Sequence, residues 1–108
     1  MNELHFSEAA QNDLIDIKTY IEEELLNPSA ASATVRRILN SLGILQTYAE
    51  AGAPLSSIVN IETTYRYIIA GNFVSFYRIN GSDIYIDRLL YSRRDFMRVL
   101  FDTHTIED

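Results

Sequence analysis

A chain of 108 residues, 47% hydrophobic and without cysteine, is long enough for one packed domain and too short for two. That composition excludes a disordered polymer, a disulfide scaffold and any thiolate metal site. A net charge of −6 argues against general nucleic-acid affinity, which rests on neutralising phosphates.

The charge is uneven along the chain. Residues 1–62 hold nine acids against three bases, Lys18, Arg36 and Arg37, whereas residues 63–101 hold six arginines against three acids. Arginine there suits planar, bidentate recognition of carboxylate or phosphate, and pairing with local acids is the plainer alternative for each. The acidic tail 102–108 is expected to be flexible, leaving 1–101 as the single folded domain. Met1-Asn2-Glu3 has no leader character, and no apolar run approaches the roughly 20 residues of a membrane span. A cytoplasmic location with no membrane partner is therefore expected.

Leu4-His5-Phe6 alternates and is followed by Ser7, a good N-cap, so a short strand is expected to enter a helix. Leu14, Ile17, Ile21 and Leu25 recur at helical spacing and give that helix one apolar face. The run Glu22-Glu23-Glu24 reads as a solvated face. Asn27-Pro28 ends the first helix and caps a second, with Val35, Ile38, Leu42 and Leu45 along one side. So short a connection makes the pair an antiparallel αα-hairpin. Gly52, Pro54 and two serines mark 49–57 as a loop.

The period then changes. Tyr65–Ile69, Phe73–Ile79 and Ile84–Leu90 are aromatic and β-branched runs separated by Gly71-Asn72 and Asn80-Gly81, a β-meander. Alternation places Ser75 and Tyr77 on one face of the middle strand, with Val74, Phe76 and Arg78 on the other. In the last strand Ile84, Ile86 and Arg88 should share a face opposite Tyr85, Asp87 and Leu89. Ser92 is expected to cap a final short helix bearing Phe96, Val99 and Leu100. The order β-α-α-β-β-β-α gives an α+β fold, an antiparallel β-sheet packed on an α-helical hairpin in two layers, with the first strand joining the meander.

The usual catalytic sets are missing. The four glycines are isolated, so no phosphate-binding loop is formed. His5 reads as an outward-facing strand residue and His104 as a tail residue, so neither a metal site nor a histidine-activated nucleophile is expected, and no cofactor. What remains is a sheet face rich in arginine and tyrosine.

Three stretches, in this order and topology, resemble the RelE/ParE toxin superfamily of type II toxin–antitoxin systems, in its ParE-like branch. They are Phe6-Ser7-Glu8-Ala9-Ala10 with Asp13-Leu14, Ile17 and Tyr20-Ile21; the hairpin Tyr65–Ile69 and Val74–Ile79; and Leu89-Leu90-Tyr91-Ser92-Arg93-Arg94-Asp95. The resemblance spans Leu4 to Phe101. It implies a plasmid-stabilisation or growth-arrest toxin neutralised by a co-expressed antitoxin, whose acidic segment would meet Arg66, Arg78 and Tyr77. It implies one of two targets. A ParE-like protein inhibits DNA gyrase by binding, and Arg93, Arg94 and Arg98 would then form the contact element. A RelE-like protein cuts mRNA on the ribosome, and Arg66, Arg94 and Tyr91 would then be catalytic. The nuclease set is incomplete here. The family's C-terminal tyrosine falls near Leu100, the helices offer no matching lysines, and the second half up to residue 101 has no histidine. A binding inhibitor of gyrase is the favoured reading, with a toxin-fold protein of little toxicity as a third. No segment reads as a DNA-recognition helix, so direct DNA binding by this chain alone is not expected.

Overall fold

The computed structural model describes residues 1–92 and 94–101; Arg93 and the tail 102–108, including His104, lie outside the described residues. Strand β1 (Glu3–Phe6) leads into helix α1 (Glu8–Thr19), and the Ser7 side chain accepts the Ala10 N–H at 2.9 Å, as an N-cap should. A π-turn over Tyr20–Glu24 extends α1, and Leu26 adopts a left-handed φ of 52° before the next helix. Helix α2 (Pro28–Gly43) starts with Asn27 accepting the Ala30 N–H at 3.1 Å and Pro28 in the first turn. Ile38, Leu42 and Leu45 are buried, so its apolar stripe faces the sheet as its spacing requires. The π-turn changes the phase of the first helix. Ile21 stays buried, but Leu25 is more than half exposed, contrary to the simple 3.6-residue repeat.

The sheet has five strands in the order β1-β5-β4-β3-β2. Here β2 is Ala53–Pro54, β3 Arg66–Ala70, β4 Phe73–Asn80 and β5 Asp83–Tyr91. Two features differ from the sequence expectation. Strand β1 joins the meander in parallel, Leu4 beside Ile84 and Phe6 beside Ile86, so the sheet is mostly, not wholly, antiparallel. A two-residue strand lies inside the 49–57 loop, which returns along β3.

The face assignment of β4 holds: Tyr77 packs towards the helical hairpin and Phe76 to the other side. That of β5 does not. Phe76 pairs with Arg88 and Tyr77 with Ile86, leaving Asp87 as the extra residue of a β-bulge. Beyond the bulge the alternation inverts, so Leu89 joins Ile84 and Ile86 under the hairpin and Leu90 faces away.

The second face of the sheet is also covered. Helix α3 (Phe96–Phe101) starts after Asp95, whose side chain accepts the Arg98 N–H at 3.4 Å, and not at Ser92. Phe96, Val99, Leu100 and Phe101 pack with buried Leu55, Phe76 and Leu90. The two-layer sandwich thus gains a partial third layer, because β4 and β5 carry large apolar side chains on both faces.

Candidate functional site

One groove of about 640 Å³ opens where α1, the π-turn and the start of α2 meet the far end of the sheet. Its walls are Ile17, Ile21 and Leu25 on the helical side and Phe73 and Leu89 on the strand side, with Asp13, Asp16, Tyr20, Tyr91 and Arg94 adding polar groups. The wider turn of the π segment places Tyr20 and Leu25 at the groove, each 56% exposed; such turns often mark functional positions. Tyr91 is 43% exposed and its ring meets Phe73 edge-on at 5.9 Å. The Arg94 N–H donates to the Tyr91 carbonyl at 2.9 Å, which folds the chain back and brings both side chains to one wall. Arg94 is exposed and forms no ion pair among the described residues.

The floor of the groove is anchored by Asp13. Arg88 clasps it in a bidentate pair, Nε at 2.7 Å and an NH2 nitrogen at 2.8 Å, and the buried Leu89 N–H donates to it at 2.9 Å. This contact holds α1 onto β5. Hydrogen bonding to Asp13 raises the Arg88 guanidinium pKa above its ordinary value. In the sequence Asp13 is a motif position and an acid near a helix start, and its buried pairing with Arg88 has one local signal. An acid on the inward side of a helix, one turn from Ala10 and Ile17, needs a buried cation.

The arginines and tyrosines named from the sequence fall into separate places. Tyr77 is fully buried; its hydroxyl donates to the Ala49 carbonyl at 2.8 Å and accepts the Gly52 N–H at 3.0 Å. It leaves no surface for a partner and works as the inner support of the 49–52 loop. Arg66 is that loop's outer support, donating to the Gly52 carbonyl at 2.7 Å and the Glu50 carbonyl at 3.2 Å. Arg78 pairs with Asp87, Nε to Oδ2 at 2.6 Å, and lies 5.5 Å from the Tyr85 ring centre. Since Arg66 is in register with Tyr77, and Arg78 follows Tyr77, the two arginines project from opposite faces of the sheet. Asp87 also influences Tyr65, whose phenol pKa is raised, first by burial and then by that carboxylate. Arg98, on α3, makes a long pair with Asp95 at 3.7 Å and stays exposed. Arg93 lies outside the described residues.

Arg66 does not reach Tyr91 and Arg94. It is opposite Tyr77 while Tyr91 is opposite Phe73, four residues along β4, which separates them by ~13 Å along the strand alone. Of the three candidate nuclease residues, the structure gathers two.

The family model for the ParE toxin of type II toxin–antitoxin system, parDE, matches residues 4–96. The chain belongs to the ParE toxin family. Among solved structures, the ParE-family chain resembles one from the chromosomal ParDE system of P. aeruginosa, at 27% identity and a TM-score of 0.70, over 84% of this chain and 96% of that one. YafQ from E. coli strain BL21(DE3) also matches, at 13% identity and a TM-score of 0.47, over 94% of this chain and 99% of that one. No curated protein matches in sequence. The expected superfamily, ParE-like branch and α+β fold are those found. No helix among the described residues is long and apolar enough to cross a membrane.

Proposed function

We propose that this ParE-family toxin acts by binding DNA gyrase and is held inactive by a cognate antitoxin covering the Tyr91–Arg94 groove. The observation that carries this reading is the dispersal of the candidate nuclease residues. Cleavage of RNA needs groups that place the phosphate and move protons within hydrogen-bond reach of one another. Here Arg66 is committed to two loop carbonyls, and it stands well away from Tyr91 and Arg94. An inhibitor that binds its target needs a surface, and Tyr91, Arg94 and Arg98 supply exposed aromatic and cationic groups of the type enriched in interface hot spots.

The same groove suits the antitoxin. Its apolar walls, with half-exposed Tyr20 and Leu25 at the rim, fit an amphipathic helix laid along α1. A segment seated there would cover Tyr91 and Arg94, so neutralisation by simple occlusion follows. An acidic continuation of that segment would meet Arg78 on one sheet face or Arg66 on the other, since one extended strand cannot span both. Induction of the toxin without antitoxin, with DNA and protein synthesis followed in the same culture, tests the target. DNA synthesis should stop first. Translation stopping first, with mRNAs cut at ribosomal positions, would refute the proposal.

A further inference from the structure

The start of the sheet carries a second cluster, far from the groove. Glu3 and Asp83 are register partners on the parallel strands β1 and β5, and His5 lies on the same face two residues along β1. Its Nε2 is 2.9 Å from an Asp83 carboxylate oxygen and 3.7 Å from one of Glu3. One ligand atom from each of the three residues can be chosen so that all lie within 4.8 Å of one another. The His5 ring is stacked on Tyr85 at 5.1 Å, which fixes its plane.

We infer that Glu3, His5 and Asp83 form a binding site for a zinc-class divalent cation that clips the edge strand β1 to β5. Three observations support it. Two carboxylates side by side on neighbouring strands disfavour one another, and a cation between them would remove that cost. The donor set, one imidazole nitrogen and two carboxylate oxygens, is made of groups that zinc accepts, and at this partly exposed place water can complete the tetrahedron. In a tetrahedral site with bonds of about 2.1 Å, ligand atoms are ~3.4 Å apart; the 3.7 Å from Nε2 to Glu3 is close to that, and the 2.9 Å hydrogen bond from His5 to Asp83 would open slightly as the cation replaces the Nε2 proton. Spacing along the sequence hid the site, because Asp83 is 78 residues from His5. It sits at the opposite end of β5 from Tyr91, so it adds to the stability of the fold without occupying the groove.

The test uses tag-free full-length protein titrated with ZnCl2 in a calorimeter, with MgCl2 as control, and thermal unfolding in parallel. One zinc ion should bind per chain and raise the unfolding temperature, and magnesium should do neither. His5→Gln and, independently, Asp83→Asn should each weaken zinc binding about tenfold or more, since loss of even an outer partner of a metal ligand costs 10–100-fold. Both side chains are partly exposed, and circular dichroism confirms that the variants are folded. His104→Gln should leave binding unchanged. Absence of one-to-one binding, binding that survives His5→Gln, or binding lost in His104→Gln would each overturn the assignment.

Discussion

Replacing Asp13 by alanine removes three hydrogen bonds that join α1 to β5, and the structure bounds the cost. Breaking a fully buried ion pair from one side costs about 3–5 kcal/mol, because the remaining charge stays desolvated. The Arg88 side chain keeps 25% of its surface, so water recovers part of its solvation and the cost falls to the lower end. The buried Leu89 N–H also loses its acceptor, a penalty of about 1–3 kcal/mol on its own. These terms share one site and do not add fully, so Asp13→Ala should destabilise the protein by ~3 kcal/mol. For a domain of this size that lowers the unfolding temperature by about 12–24 °C. Asp13→Asn, which keeps an oxygen for Leu89 but loses the charge, should cost roughly half as much. Arg78→Gln is the contrast, because its pair with Asp87 leaves 46% of the Arg78 side chain in solvent and should contribute under ~1 kcal/mol. Urea and thermal unfolding of the three variants decide the matter. An Asp13→Ala loss no larger than that of Arg78→Gln would refute the claim that this pair anchors α1.

Three further perturbations have expected outcomes. Gly52→Ala would set a new Cβ 2.5 Å from the Tyr67 carbonyl oxygen and 2.7 Å from the Tyr77 hydroxyl, so the 49–52 loop must shift; a loss of about 1–3 kcal/mol by thermal unfolding is expected. Tyr91→Ala with Arg94→Ala should relieve growth arrest in cells while leaving the unfolding temperature within a few degrees of wild type, since both residues are exposed. A folded, expressed and fully toxic double variant would remove them from the target surface. Tyr65 should ionise above the ordinary tyrosine range, and Tyr65→Phe should delete that late step from an ultraviolet titration of tyrosinate. The sign is that of a raised folded-state pKa. The stability it contributes is fully present below about pH 10, the unfolded value, and is lost as pH rises through the higher folded value.

Elements whose signal is local were legible in the sequence. Ser7 and Asn27 cap their helices because a short polar side chain ahead of an apolar repeat can do little else, and Asn80-Gly81 turns the β4–β5 hairpin, Gly81 taking φ of 63°. Features that depend on pairing across the fold were not. Nothing in Leu4-His5-Phe6 states that β1 runs parallel to β5, and two residues, one of them Pro54, are too few to show a strand period. The bulge at Asp87 is a property of the β4–β5 register, and it alone moves Leu89 to the helical side. The groove was half legible. Tyr91 and Arg94 are neighbours in sequence, but Asp13, Tyr20 and Leu25 join them only through the hairpin's packing and the phase change of the π-turn. Tyr77 misled for the opposite reason: a tyrosine in a strand looks the same from sequence whether its hydroxyl meets solvent or, as here, the Ala49 and Gly52 backbone.

The most direct test of the central claim is made in vitro, with purified toxin added separately to a gyrase supercoiling reaction and to a ribosome-programmed translation reaction. Supercoiling should be inhibited, inhibition should be abolished in the Tyr91→Ala, Arg94→Ala variant, and translation should continue with its mRNA intact. Cleaved mRNA in the translation reaction, with gyrase unaffected at the same toxin concentration, would contradict it.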